Sequence, residues 1–257
     1  MHSSETTLGR LCLVPAPLDF MCESQVPLSH VMPMHTLEVA SQLSHWVCEN
    51  AKSTRALLKR IDAVCPLKTP IQLQTLVELP RLVHKKGDHA AGVDTSSLLG
   101  PALAGHDLGL VSEAGMPAVA DPGSSLVRAA HDAGIDVLPL VGPSSLLLAL
   151  SASGLNGQQF AFVGYLPQDS AARNQRIHAL EKHALTTGET QIFIETPHRN
   201  QALWQALVSH LQPNTRLCRS SNLSLPNMQI VSRRVGVWRK NPGELDKHTP
   251  VVFAFGP

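Results

Sequence analysis

The chain is poor in aromatic residues. Only 4% of its 257 residues are Phe, Trp or Tyr, and there is a single tyrosine. A row of aromatic platforms for stacking many bases is therefore excluded. Neither sign of charge dominates: the formal net charge is +1, so a strongly basic coat over the whole chain is excluded too. The five cysteines (Cys12, Cys22, Cys48, Cys65, Cys218) include no CxxC pair and are odd in number. Free thiols in a reducing compartment are expected. The polar start, Met1 to Gly9, lacks a basic-then-apolar signal pattern, and a cytoplasmic protein is expected. No membrane span is expected either. The uncharged stretch between Asp136 and Asp169 is interrupted by Pro139, Gly142, Pro143, Gly154, Asn156 and Gly157. Its one dense apolar run, Leu146 to Leu150, falls short of the roughly 20 residues a span needs.

Several catalytic signatures are missing as well. There is no P-loop, GxGxxG, HExxH or GxSxG, and no Cys/His spacing suits zinc. His84 and His89 flank a Lys-Lys-Gly turn, and His178 and His183 share a helix at a spacing that does not align them. No metal site is expected.

What is present is a globular composition, 43% hydrophobic and 16% charged, enough for one large domain or two smaller ones. Charge is unevenly placed. Residues 1–156 carry 10 Lys+Arg against 14 Asp+Glu, and residues 157–257 carry 11 against 6. An acidic half joined to a basic half suggests two units with different partners.

In the first half, short apolar strands alternate with helices. Leu11 to Val14, His45 to Cys48, Pro70 to Leu76, Leu108 to Val111 and Ile135 to Leu140 read as strands. Leu37 to Leu43, Ser53 to Ile61 (capped by Ser53 or Thr54), Thr95 to Leu103 and Ser124 to Ala133 (capped by Ser124) read as helices, and another follows Ser144 or Ser145. This alternation argues for a parallel α/β sheet. Beyond Gly157 five strands are expected, at Phe160–Val163, Gln191–Ile194, Arg216–Ser220, Gln229–Ser232 and Val251–Phe255, with helices at Ala171–Ala184 and Asn200–Leu211. That pattern suits a mixed sheet. The expected domains are 1–156 and 157–257.

Three loops carry the chemistry, each just after an expected strand: Pro15-Ala-Pro17, Ser112-Glu-Ala-Gly-Met-Pro117 and Gly142-Pro-Ser-Ser145. Ligands of open parallel sheets bind beyond the carboxyl ends of the strands. Small residues admit a ligand to the backbone, and free N–H groups at the Ser144 helix start suit an anion. The same loops also fit ordinary strand-to-helix turns. A fourth segment, Ile194-Glu-Thr-Pro-His-Arg199, has two readings. Arg199 holds a phosphate while Glu195 or His198 takes a proton, or Pro197 opens a helix and Glu195 pairs with Arg199.

Together these motifs resemble the tetrapyrrole (corrin/porphyrin) methylase superfamily, and within it the branch that methylates the ribose of small-subunit ribosomal RNA. The resemblance rests on Val14-Pro-Ala-Pro17, Val111-Ser-Glu-Ala-Gly-Met-Pro-Ala-Val-Ala-Asp-Pro-Gly123, Val141-Gly-Pro-Ser144, Ala149-Leu-Ser-Ala-Ser-Gly-Leu155, Gly164-Tyr-Leu-Pro167 and Glu195-Thr-Pro-His-Arg199. It is dense from about 106 to 203. It implies two α/β domains, a parallel-sheet one and a mixed-sheet one, with S-adenosylmethionine in the cleft between them, and a homodimer. Cofactor contacts are implied at Pro15, Pro17, Ser112, Glu113, Ala114, Gly115, Val119, Ser144, Ser145, Tyr165 and Leu166. Glu195, His198 and Arg199 are the implied catalytic group. The acceptor is expected to be RNA, met through Arg173, Arg176, Arg199, Arg233 and Arg234 of the basic half; a tetrapyrrole or other small-molecule acceptor, or a catalytically silent cofactor-binding protein, is the alternative.

Three segments depart from the family pattern. Leu18-Asp19-Phe20 replaces Ile-Gly-Asn-Leu, which adds a charge at Asp19. Glu49-Asn-Ala-Lys-Ser-Thr-Arg55 keeps the family's Glu and its last Thr-Arg. Ser220-Ser-Asn-Leu-Ser224 replaces Arg-Glu-Leu-Thr-Lys and removes its charges.

Overall fold

The computed structural model describes residues 7–19, 22, 24–80 and 94–257. The chain forms two compact units. The first holds the described residues of Met1–Phe20 and Val26–Pro143, the second those of Met21–Gln25 and Ser144–Pro257.

The first unit is built on β1 (Leu11–Val14), α1 (Met34–Gln42), β2 (His45–Cys48), α2 (Ala51–Asp62), β3 (Thr75–Glu78), α3 (Gly100–Leu103), β4 (Leu108–Val111), α4 (Ser124–Asp132) and β5 (Val137–Pro139). The strands pair in the order β3-β2-β4-β1-β5, all parallel. Successive side chains of a strand point to opposite faces, and both faces here are covered. Cys12, Val14, Trp46 and Cys48 pack with Leu37, Ala40, Leu58 and Ile61 of α1 and α2. Leu11, Val47, Leu108 and Leu110 pack with Ala102 of α3 and Leu126 and Ala130 of α4. Burial on both faces is why these strands read as unbroken apolar runs.

Local details differ from expectation. Asn50 caps α2 in place of Ser53 or Thr54: its Oδ1 accepts from the N–H of Lys52 at 2.9 Å and of Ser53 at 3.4 Å. The two hydroxyls instead donate back to the Asn50 carbonyl. Gly123, with φ of +136°, precedes α4, so Ser124 is the first helical residue and not the cap. Pro70 to Leu76 holds a 3₁₀ turn (Ile71–Leu73), and the strand starts later, at Thr75. Thr95 to Leu103 splits into a 3₁₀ turn (Ser96–Leu99) and the single turn of α3.

The second unit comprises α5 (Ser145–Ser153), β6 (Phe160–Phe162), α6 (Ser170–Thr187), β7 (Thr190–Glu195), α7 (Asn200–His210), β8 (Arg216–Ser221), β9 (Gln229–Arg234), α8 (Val235–Trp238) and β10 (Val251–Gly256). Its sheet runs β6-β7-β10-β8-β9, with β6 parallel to β7 and the other pairs antiparallel. The mixed sheet is as expected. One face carries a core of Phe193, Phe253, Phe255, Trp204, Trp238 and Leu217 under α6, α7 and α8. α5 packs on β8, β9 and β10. That contact groups 144–156 with the second unit, whereas the sequence reading placed it with the first.

Candidate functional site

In the first unit the three loops follow β1, β4 and β5, which are neighbours and parallel. Their carboxyl ends therefore share one edge of the sheet. The backbone N–H of Ala16 donates to the carbonyl of Gly115, and the N–H of Gly115 to the carbonyl of Ala16, both at 2.9 Å. Gly115 has φ of +75°, and a Cβ there would lie 3.5 Å from Leu18 Cδ2 and 3.8 Å from the Pro143 carbonyl oxygen. Gly142 is closer still: its Cβ would fall 2.2 Å from Cγ of Pro15. The third loop is tied by the Thr36 hydroxyl, which donates to the Val141 carbonyl at 2.8 Å. The first two loops thus meet backbone to backbone, and the third lies against the Pro15 ring at Gly142, where a side chain would not fit.

Pro15, Pro17, Ser112 and Gly115 are buried, Glu113 and Ala114 half-buried, and Val119 exposed. Beyond Pro117 the chain is strained. Ala118 and Ala120 both hold φ of +64°, a region costing about 1–2 kcal/mol for a residue with a side chain. Backbone strain of this kind concentrates at functional sites.

Three carboxylates stand beside these loops. Glu49 follows β2, and its Oε2 accepts from the Glu113 N–H at 3.2 Å. Burial, followed by the charges of Glu49 and Glu113, pushes the Asp121 carboxyl up to about 7. Sequence reasoning did not single out Asp121; its Asp-Pro-Gly context was the available signal. Asp19 contributes no loose charge. It is 5% exposed and takes a two-pronged bond from Arg60 of α2, at 2.9 and 2.8 Å. Arg60 also donates to the Val26 carbonyl. The residue that departs from the family pattern is therefore a clamp on the chain that leaves the first loop.

In the second unit, β6, β7 and β8 run in the same direction, so the segments that follow them share one rim. Tyr165, after β6, is exposed, while Leu166 is buried in the core. Glu195 ends β7. Its Oε1 accepts from the Thr196 N–H at 2.7 Å, the Thr196 hydroxyl at 3.2 Å, and Arg199 Nε and Nη2 at 3.0 and 2.6 Å. The Glu195–Arg199 pair is therefore formed. His198 is exposed. After β8, Asn222 and Ser224 adopt φ of +50° and +68°, and Leu223 and Leu225 turn inward. Elsewhere in this unit, Ser144 precedes α5 and Ser145 opens it; both are half-buried, and the Ser144 hydroxyl makes no capping bond.

Among the expected RNA contacts, Arg199 is engaged by Glu195 and Arg173 Nη1 donates to the Gln168 carbonyl. Arg176, Arg233 and Arg234 are exposed. Among the described residues no group of three or more His, Cys, Asp or Glu could hold a metal, and no helix is long and apolar enough to cross a membrane. His84 and His89 lie outside the described residues.

The family model "Tetrapyrrole (Corrin/Porphyrin) Methylases" matches residues 43–236. The chain is 34% identical over 196 residues to "Ribosomal RNA small subunit methyltransferase I" of Xylella fastidiosa, covering 76% of this chain and 61% of that one. It is 30% identical over 198 residues to the protein of that name from Escherichia coli O157:H7, covering 77% and 59%. The chain thus spans about three-fifths of the length of these curated relatives. Among solved structures, the methyltransferase CobJ superposes with a TM-score of 0.56 at 18% identity, covering 96% of this chain and 94% of that one. Uroporphyrin-III C-methyl transferase from Thermus thermophilus complexed with S-adenosyl homocysteine gives 0.53 at 16%, covering 96% and 97%.

Proposed function

Since the chain belongs to the tetrapyrrole (corrin/porphyrin) methylase family, we propose that it is an S-adenosylmethionine-dependent methyltransferase acting on a ribose 2'-hydroxyl of small-subunit ribosomal RNA. One observation carries the reading: three small-residue loops meet at the carboxyl ends of β4, β1 and β5. The names of the relatives support the RNA acceptor, as does the surplus of Lys and Arg over residues 157–257.

The residues present suit the cofactor. S-adenosylmethionine, when bound, would supply an electrophilic methyl group on a sulfonium; transfer to the ribose oxygen would break the methyl–sulfur bond and leave S-adenosylhomocysteine. The positive charge of such a ligand matches the crowding of Glu49, Glu113 and Asp121 beside the loops. The Ala16–Gly115 exchange and the Gly142–Pro15 contact fix those loops, so the ligand meets a surface already in place. Preorganisation of this kind can contribute several kcal/mol to a displacement. On the acceptor side, Glu195 holds Arg199, which leaves the exposed His198 to take the hydroxyl proton. Arg199 is assigned a phosphate contact.

We also propose a homodimer working in the cytoplasm. Leu147 and Leu148 of α5 and Phe160 and Phe162 of the edge strand β6 are 55%, 39%, 43% and 36% exposed, a set of apolar side chains that a second copy would cover. Light scattering at micromolar concentration should report a dimer; a monomer there refutes that part.

The central test is calorimetric titration with S-adenosylmethionine and S-adenosylhomocysteine, followed by transfer of a labelled methyl group to small-subunit ribosomal RNA. Saturable heat and label on ribose are expected. Heat without label on any RNA would end the RNA reading and leave a small-molecule methyltransferase or a binding protein. The absence of both would end the cofactor assignment.

A further inference from the structure

Arg219 stands in the middle of β8, opposite Phe253 of β10 and Val231 of β9. Opposed residues of antiparallel strands share a face, so Arg219 and its neighbour Arg233, opposite Leu217, lie on the face that carries the aromatic core. Two indoles meet them there. Trp204 and Trp238 pack edge to face, with centroids 4.8 Å apart and planes at 88°. Both indoles are locked by their own N–H groups: Trp204 donates to the Pro242 carbonyl at 3.0 Å and Trp238 to the Leu217 carbonyl at 2.9 Å. The Arg219 guanidinium carbon sits 5.0 Å from the centre of each indole. The Arg233 guanidinium carbon sits 5.0 Å from Trp238.

One indole therefore holds two guanidinium groups. Indole faces attract cations, but two cations drawn to the same ring repel one another. The Arg219 guanidinium accordingly holds its proton less tightly than an ordinary arginine, through burial first and the charge of Arg233 second. Among the described residues neither arginine forms an ion pair; the arginines that do are Arg10, Arg60 and Arg199. The nearby acids lie in the loop before β10. Asp246 bonds to Thr249 and His248, and Glu244 is exposed and forms no ion pair among the described residues. Among the described residues the Arg219 side chain has one hydrogen bond, from Nη1 to the Pro242 carbonyl at a long 3.4 Å. A guanidinium offers five N–H donors in a fixed fork. Gly243 brings only backbone against its Nη atoms, where a Cβ would stand 3.5 and 3.8 Å away. Two planar forks, fixed by aromatic faces, uncompensated, and with donors to spare, match the two non-bridging oxygens of a phosphodiester.

We propose that Arg219 and Arg233, seated on Trp204 and Trp238, form a phosphate-binding site that grips the backbone of the RNA acceptor. This inference rests on the RNA reading and assigns it a location. Arg219 was not among the cations singled out from the sequence. An anion held by either guanidinium offsets the charge that Arg233 places on Arg219, so binding gains beyond the contact itself. Arg234 is not part of the pair, since its Nη1 is turned to the Asn214 carbonyl. Nor is Arg239, which donates to the Val208, Ser209 and Leu211 carbonyls at the end of α7.

The test measures the affinity of the full chain for a short labelled single-stranded RNA across a salt series, with inorganic tripolyphosphate as competitor and tryptophan emission as a second readout. The variants are Arg233→Gln, Arg233→Lys and Arg219→Gln, with Arg128→Gln on α4 as the control. Arg233 is exposed, so its variants keep the test valid should Arg219→Gln fail to fold. Arg233→Gln is expected to weaken RNA about tenfold at low salt. It should also make the slope of log affinity against log salt shallower by about 0.7, the value for one lost contact on a single strand. Arg233→Lys should keep the slope, Arg128→Gln should change nothing, and wild-type emission should shift on binding. Equal affinity and slope in Arg233→Gln and wild type would overturn the site while leaving cofactor binding and methyl transfer standing. An Arg233-dependent slope without cofactor heat or methyl transfer would keep the site and sink the enzyme. Binding of tripolyphosphate but not RNA would assign the forks to a free polyphosphate and overturn the RNA backbone.

Discussion

Gly142→Ala isolates the meeting of the first and third loops. The new Cβ would stand 2.2 Å from Cγ and 2.4 Å from Cβ of Pro15. Ordinary contact begins near 3.4 Å, so the loops must part by about 1.2 Å. Pro15 is buried at the end of β1, and its ring cannot swing aside through a side-chain rotation. Overpacking of this kind costs about 1–3 kcal/mol. At about 2–4 °C per kcal/mol for a chain of this size, the melting temperature should fall by several degrees. If the displaced loops line the cofactor site, affinity for S-adenosylhomocysteine should fall about tenfold or more, since 1.4 kcal/mol is a factor of ten. Calorimetry and a thermal melt read both effects. Pro15→Gly removes the ring, so the double variant should lose less than the two single losses added together. Gly157→Ala, where a Cβ meets nothing within 4 Å, is the control. A Gly142→Ala protein with wild-type melting and affinity would refute the placement of these loops.

Three further outcomes are expected. Gly115→Val places a β-branched residue at φ of +75°, a left-handed conformation such residues rarely adopt, and should abolish S-adenosylhomocysteine binding by calorimetry; unchanged affinity would contradict the site. Asp121, pushed up to about 7 from 3.8, holds its proton more tightly folded than unfolded, so this group's contribution to stability is complete below about pH 4 and lost as pH rises through 7. Denaturant melts should show Asp121→Asn with a flatter profile and greater stability than wild type at pH 8, and parallel profiles would count against the reading. Arg60→Ala strands the buried Asp19 carboxylate and should cost about 3–5 kcal/mol, whereas Asp19→Asn with Arg60→Met should cost much less; equal losses in urea would show that the pair is no unit.

The sheets were legible because both-face burial leaves its mark in composition. Leu11–Val14 and Leu108–Val111 are unbroken apolar runs, and the alternation of strand and helix named the parallel sheet. Caps were harder: Asn50, Ser53 and Thr54 all offer an oxygen near the start of α2, and only backbone geometry chooses among them. The three loops were picked out by position and by resemblance, but their meeting was not readable, because it runs through main-chain atoms of Ala16 and Gly115 and through the missing side chain of Gly142. Asp19 misled for a different reason. Its partner is 41 residues away, and no local pattern links a loop acid to a helix arginine at that distance. Arg219 was hidden likewise, since a lone cation in a strand says nothing of the two indoles that will flank it.

The last strand in chain order, β10, is the middle of the second sheet. It pairs with β7 on one side and β8 on the other, and its Phe253 and Phe255 are fully buried. During synthesis, β6 with β7 and β8 with β9 can form as separate pairs, but each waits with an open edge for residues 251–256. Long-range pairing of this kind is slow, and open edges invite pairing with other chains. The second unit is therefore most vulnerable to aggregation in the interval before β10 is inserted, and chains truncated ahead of Val251 should be claimed by proteases and chaperones.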